Sequence, residues 1–571
     1  MSEISEINDR IRRRQFLKSV FKTSIAASFA FASGSAWSSS IINAISESLS
    51  NNTTGPIILR GANYGLGHRL LHTNFPSPSK TIHTDVIIIG SGIAGLAAAR
   101  HLYQNNHKNF IIVELEKTLG GNSSWGENEL SKFPWGGHYL PIPNPDLKFI
   151  IDFLLECNVI SGFNTKNLPI YNELYLCHDL KERLYINGKW QEGLIPSYGV
   201  PKKDREQITR FFELMEHYKY LQDGEGRYAF NIPVDLSAKL NNILLLDTIT
   251  MKQFMQEQGF DSSYLYWYVN YCCRDDYGVG LESVSAWAGV HYFAARRAKA
   301  ANAESDAVLT WPEGNGFLAK NLANAFTDNI KTELLAYEVG KNDRKQSADE
   351  YYVNCFSGKD NTTLKIIAKS VILACPRFIA SHMAHSNSLS SFAQFSFAKV
   401  KEMSYSPWLV ANISVKFVPS TRGADLAWDN VSYYSHSLGY IDAKHQSLNT
   451  MRGPTVLTYY LPMDQDKSDI TRKNALSKKV EEWRTFILQD LENMHPGISQ
   501  VVEHIDLWIW GHGMIRPIPN FIWSEFRQSL PRSVEGIFFA HSDMSGISIF
   551  EEAFWQGITT AKSVLAFMSE K

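Results

Sequence analysis

The chain has 571 residues, 44% hydrophobic and 20% charged, proportions of a folded globular protein that exclude a disordered or fibrous one. Fifty-six Lys and Arg stand against 58 Asp and Glu, a net charge of −2, so there is no bulk basic field to hold a phosphate backbone and nucleic acid is not an expected partner. Six scattered cysteines, none in a C-x-x-C pair, exclude a disulfide scaffold and a structural zinc knuckle, and at about 150 residues per domain the length predicts three to four structural units. No metal site is expected.

At the start of the chain, Arg13-Arg14-Gln15-Phe16-Leu17-Lys18 resembles a twin-arginine export signal, although an ordinary basic amphipathic helix would use the same residues. The Ser/Ala/Phe-rich stretch behind it, to about Trp37, is interrupted by Lys22 and falls short of the ~20 apolar residues of a membrane span. No span is expected in the mature protein. Ala30-Phe31-Ala32 and Gly34-Ser35-Ala36 both offer small-residue cleavage sites. The resemblance implies passage through the twin-arginine machinery to the periplasm, or export otherwise, as a folded protein already holding a cofactor. Residues 1–40 are thus read as signal. Residues 41–83 are read as a linker or surface-hugging arm, because Ser38–Thr81 is rich in Ser, Asn, Gly and Pro and shows no sustained period of 3.6 or 2.

Next comes a dinucleotide-binding pattern. The apolar strand Asp85–Ile89 runs into Gly90-Ser91-Gly92-Ile93-Ala94-Gly95, and a helical Ala-rich stretch follows. Gly90 serves a tight turn, Gly92 the approach of backbone to a pyrophosphate at the helix N-terminus, and Gly95 close helix–strand packing. A second strand, Phe110–Val113, ends at Glu114, nineteen residues past the third glycine, the spacing of a ribose-binding carboxylate.

After Glu114 come Gly120-Gly121-Asn122-Ser123 and Phe133-Pro134-Trp135-Gly136-Gly137-His138-Tyr139. Here the chain resembles the flavin-dependent amine oxidase superfamily, which includes the phytoene desaturase-like enzymes. The resemblance implies that Gly120 and Gly121 lie against the FAD pyrophosphate and that Gly136 and Gly137 pass close to the flavin ring. The C-terminal strand Gly536–Ala540, the acid Asp543 and a helix opening near Phe550 and including Gly557 resemble the closing elements of that superfamily. They imply that Asp543 binds the ribitol and that backbone near Phe550 faces flavin N1 and the C2 oxygen. Asp543 also reads as a helix N-cap, and both roles can hold at once. Trp311–Gly316, a helix after it, strand-like segments near Lys331–Val339 and Tyr351–Phe356, and Ser370–Pro376 look like the second flavin-domain segment, with Ala336 at the adenine contact. The expected architecture is α/β: a Rossmann-like FAD-binding domain from 84–145, 310–380 and 500–571, with an α+β substrate domain from 146–309 and 381–499.

Candidate chemistry lies in two places. Tyr264–Gly278 is strongly aromatic and carries Asp275 and Asp276, a combination suited to a cation. It reads equally well as a buried helix in which Arg274 neutralises the acids. Trp508–Met514 resembles the strand that passes beside the flavin, placing His512 there as a proton acceptor or a plain wall residue, and His138 has the same two readings. No cysteine follows Cys375, so a cysteinyl flavin through this strand is excluded. The family pattern fails at three points: Asn122 stands where arginine is usual, no lysine matches in Pro407–Asn412, and the paired ring-face tyrosines would fall near Gly513 and Ile549. The reading is an exported FAD-dependent oxidoreductase that oxidises a small organic substrate, an amine first among candidates, by hydride transfer to flavin N5. A desaturase or isomerase of an apolar polyene-like substrate and a non-enzymatic FAD-binding protein remain alternatives.

Overall fold

A computed structural model describes residues 55–71, 74–342, 350–383, 403–447, 453–465 and 467–570. The export signal and residues 41–54 lie outside these. The first layer is a six-stranded sheet in the order Ile330–Lys331, Phe110–Val113, Val86–Ile89, Ser370–Leu373, Ile537–Phe539, Ser533–Val534. All its pairings are parallel except the last. Its central strands are short buried runs because the helices Ile93–Gln104 and Phe550–Ser569 and the strands Leu334–Lys341 and Thr362–Ala368 pack on the sheet and leave no solvent side for polar residues.

The turn into the helix Ile93–Gln104 is set by glycines. Gly90 sits at φ +104°, and a Cβ there would lie 2.5 Å from the Ala374 carbonyl oxygen. At Gly95 a Cβ would lie 2.0 Å from the Gly90 oxygen, so the helix packs onto its own strand only without a side chain. The C-terminal helix Phe550–Ser569 crosses Ile93–Gln104 at Gly557, where a Cβ would meet the Ala94 oxygen at 2.2 Å. The first and last helices are thus locked together and bring Ile93 and Phe550 to one side of the sheet.

A four-stranded meander, Leu334–Lys341, Tyr351–Ser357 and Thr362–Ala368, is completed by Pro78–His83. The third sheet has eight strands in the order Ile57–Gly61, Val502–Ile515, Tyr405–Val415, Thr455–Pro462, Tyr440–Asp442, Asp429–Ser432, Glu182–Ile186, Lys189–Glu192. Two expectations change here. The segment read as a linker supplies an edge strand to each of two sheets, Ile57–Gly61 parallel to Val502–Ile515 and Pro78–His83 parallel to Thr362–Ala368. Val502–Ile515, read with the FAD-binding segments, pairs within the eight-stranded sheet, and the chain returns to the dinucleotide sheet at Ser533. Among the described residues all six cysteines are free, and no helix is long and apolar enough to cross a membrane.

Candidate functional site

Two cavities meet where these layers join. The larger, about 450 Å³, is floored by Gly90, Gly92, Ile93, Ala94, Glu114, Gly120 and Gly121, and also reaches Ala336, His512, Asp543 and Phe550. The smaller, about 150 Å³, is lined by Gly136, His138, Tyr139, Asp275, Asp276, Arg296, Trp408, Tyr460 and Glu551. They share one wall, formed by Asn122, Gly137, Asn315, Trp510, Gly513, Ser548, Ile549 and Phe550.

The larger cavity suits a dinucleotide. Gly92 is extended, with φ −67° and ψ 176°, and a Cβ there would meet only the Gly121 Cα at 4.0 Å, so its freedom is space on the cavity side. Neither helix that opens onto the cavities has a side-chain N-cap, which leaves the first-turn N–H groups near Ile93 and Phe550 for a ligand. Glu114 accepts from Ser91 N–H at 2.8 Å, Ser91 Oγ at 2.7 Å and Glu116 N–H at 2.8 Å. Ser91 therefore positions the acid from behind, buried and off the cavity lining, and Gly95 likewise serves packing.

Asp543 is fully buried. Its Oδ2 accepts from the Tyr405 hydroxyl at 2.6 Å and Arg377 N–H at 2.8 Å. Its Oδ1 lies 3.0 Å from His541 Nδ1, but that nitrogen takes the Asp543 N–H, and Oδ1 is left without a donor. A buried acceptor in this state is matched by an incoming hydroxyl. Burial pushes the Asp543 carboxyl up, and His541, Tyr405 and the Arg377 N–H outweigh it, so the net displacement is downward and the group stays ionised.

In the smaller cavity, Asp275 accepts the Tyr139 hydroxyl at 2.9 Å, while Asp276 finds no hydrogen-bond donor among the described residues. Burial pushes Asp275 up to about 6 and Asp276 up to about 7; Arg296 pulls Asp276 back down, and Asp275 and Glu551 push it further up. Burial raises the Asp429 carboxyl as well, with Glu182 and Asp275 adding to it. Arg274 does not neutralise this pair. It bonds Asp464 at 3.0 Å and the His436 and Pro462 carbonyls, on another face of its helix. The local cation is Arg296, paired with Glu551 at 2.6 Å. Aromatic rings form more of the wall: His138 stacks on Tyr460 at 4.5 Å, and Trp408 and Trp510 line the cavity beside them.

The two histidines are separated. His138 lines the smaller cavity and His512 only the larger, against Phe378 at 4.3 Å. The reason is a bulge. Ser406 pairs with Met514 and Trp408 with Trp510, so Gly511, His512 and Gly513 together face the single residue Pro407. Burial takes both imidazoles down to about 3, and Arg472 and His68 press His512 lower still. Both are therefore held neutral at pH 7. Of its two readings, His512 takes the place of a wall residue in the larger cavity, and it does not line the smaller one.

Residues 88–154 match the family described as NAD(P)-binding Rossmann-like domain. A flavin-containing amine oxidase of Oncorhynchus mykiss is 28% identical over 182 residues, 31% of this chain and 30% of that protein. The matched region spans less than a third of the length of the curated relatives. Among solved structures, putrescine oxidase bound to putrescine superposes with a TM-score of 0.61 at 16% identity over 85% of this chain and 100% of that one. The fold is that of the flavin amine oxidases. A fatty acid isomerase from P. acnes superposes with a TM-score of 0.57 at 15% identity over 84% of this chain and 98% of that one, so the same fold is also found in a protein of quite different description.

Within this amine oxidase fold, sequence reading missed Arg296. A signal existed: Arg296-Arg297 interrupts the otherwise apolar run that begins at Ala286, and charges in such a run need buried partners. Burial works against the Arg296 guanidinium, yet Glu551 and Asp276 hold its affinity for the proton above the usual arginine range. Replacing Arg296 by methionine would strand the buried Glu551 carboxylate, and a loss of roughly 3–5 kcal/mol is expected in denaturant unfolding. A variant as stable as the parent would show that Glu551 is held by other groups.

Proposed function

We propose that this protein is an FAD-dependent oxidoreductase that oxidises an amine, exported folded through the twin-arginine pathway. The observation that carries the reading is the shared wall. A cavity suited to a dinucleotide adjoins a second one holding two carboxylates and aromatic faces, with the opening helix Phe550–Ser569 at the seam. FAD, when bound, supplies the two-electron acceptor. Glu114 and Asp543 would hold its ribose and ribitol hydroxyls, and the glycine loop its phosphates.

The chain's own residues then do three things. Asp276, lacking a donor, receives the ammonium group, with Asp275 held in place by Tyr139. Tyr460, its hydroxyl fixed at 2.9 Å on the Gly136 oxygen, and Trp408 confine the substrate and exclude water. Neutral His138, stacked on Tyr460, packs the wall without a competing positive charge. The ammonium first gives a proton to the Asp276 carboxylate, and the neutral amine so formed leaves as an iminium ion, short of two electrons and one proton. The final electron acceptor is oxygen or a periplasmic carrier.

The test is the visible spectrum of the purified protein, followed by acid precipitation and anaerobic titration with amines and, separately, with polyunsaturated acids. Flavin in the supernatant and bleaching by amines are expected. Bleaching by polyenes alone would move the reading to a desaturase or isomerase, for which Val410, Leu140 and Met514 supply apolar wall. A dithionite-resistant flavin would favour a binding protein. A colourless chain that cannot be reconstituted would overturn the proposal.

A further inference from the structure

The larger cavity has an unusual cover. Its floor is the glycine loop, but Ala62, Asn63, Tyr64, Gly67, His68 and Leu70, far outside the dinucleotide motif, also line it. Asn63, Tyr64 and His68 are at the same time exposed, so this segment stands between the cavity and solvent. It is slung between two sheets. Upstream, Ile57–Gly61 pairs with Val502–Ile515 and Ala62 N–H reaches the Ile509 oxygen at 3.3 Å. In the middle, Asn63 N–H donates to Glu116 Oε1 at 2.7 Å, and Arg69 lies 4.0 Å over the Phe356 ring. Downstream, Pro78–His83 joins the meander.

Charge sharpens the point. A dinucleotide brings two negative phosphates into a cavity already lined by Glu114, Glu116 and Asp543. Helix N-termini answer part of this. Among the lining residues Arg472 is the single arginine or lysine. It sits on the helix Ser468–Ser477 and gives one N–H to the Gly511 oxygen at 3.2 Å; its other donors have no partner among the described residues. His68 adds a second potential donor on the strap.

We propose that the segment Ala62–Leu71 together with Arg472 is a retaining strap for the cofactor phosphates, so that a dinucleotide enters or leaves only when the strap lifts. The proposal rests on the flavin reading above and extends it to residues outside the dinucleotide motif. Burial raises the Glu116 carboxyl to about 7, with the Asn63 N–H opposing and Glu114 adding to the rise, so the Asn63 contact is held by a group that changes charge near neutral pH.

The experiment follows FAD release from the full-length protein by the recovery of flavin fluorescence on dilution, without turnover. Arg472→Gln is expected to speed release roughly tenfold, the scale of one charge-assisted hydrogen bond, and Arg472→Lys to restore most of it. Replacing residues 63–71 by Gly and Ser of equal length is expected to speed release at least as much. Proteolysis within 62–71 should be faster without FAD than with it. If that replacement does not fold, Arg472→Gln, on a partly exposed helix, carries the test alone. Release within twofold of the parent in the folded variants overturns the strap and leaves the flavin reading standing. A parent apoprotein that never takes up FAD overturns both.

Discussion

Valine at position 92 is expected to abolish cofactor retention while leaving the protein folded. Gly92 occupies an extended conformation open to any residue, and its missing Cβ faces empty space, with the Gly121 Cα 4.0 Å away as the nearest atom. Nothing in the fold therefore forbids a side chain. What a side chain would exclude is the pyrophosphate, whose approach to the helix N-terminus needs bare backbone. A loss of roughly 100-fold or more in FAD affinity, about 3 kcal/mol, is expected by fluorescence titration, with an unchanged unfolding midpoint. Gly95→Val gives the opposite signature. Its Cβ would lie 2.0 Å from the Gly90 oxygen, a clash between backbone segments that cannot be relieved by a rotamer change, and destabilisation of about 3 kcal/mol or more should precede any effect on FAD. A Gly92→Val protein that binds FAD like the parent would remove the dinucleotide from this cavity.

The second large effect concerns Asp276. Asparagine there keeps the volume and removes the charge. A fall of about 100-fold in amine kcat/KM is expected, the scale of removing one partner of a buried charge pair, with Asp275→Asn adding to it. The pH dependence has a definite sign. With the carboxyls at about 6 and about 7, both are protonated at pH 5 and ionised by pH 8, so kcat/KM of the parent for an ammonium substrate should rise across that interval and flatten in the variant. Stability runs the other way. The folded-state value of Asp276 lies above the unfolded value of 3.8, so the folded chain holds its proton more tightly, and the parent loses stability as pH climbs between the two. Asp276→Asn should therefore be more thermostable than the parent at pH 8 and indistinguishable at pH 4. A variant with unchanged amine turnover would leave Asp276 a structural acid.

How far the sequence could be read depended on how local each feature is. The strand, glycines, helix, second strand and Glu114 lie within thirty residues, and each obeys a local steric or electrostatic rule, so the dinucleotide unit was legible at once. The strap was not. Ile57 and Leu59 are half-buried while Ile58 is exposed, so an apolar run masks the alternation of a strand paired along one edge, and its partner is more than four hundred residues away. Arg274 adjoins Asp275 in sequence, yet neighbours on a helix point a hundred degrees apart, and the buried cation arrives from Arg296.

By itself, then, the sequence determined the α/β architecture, the glycine loop with its acid, and the pairing of aromatics with two carboxylates. Those are contiguous segments whose backbone conformation and burial follow from residue type. Tertiary structure alone decided which of those groups share a cavity. His512 was turned toward the larger cavity by a three-residue bulge, Arg296 was delivered to Glu551 and Asp276, and the segment from Ala62 to Leu70 was laid against the larger cavity. Each of these depends on the register between strands or the facing of helices distant in sequence, which is fixed by the joint packing of the whole chain and leaves no periodic mark on any one segment.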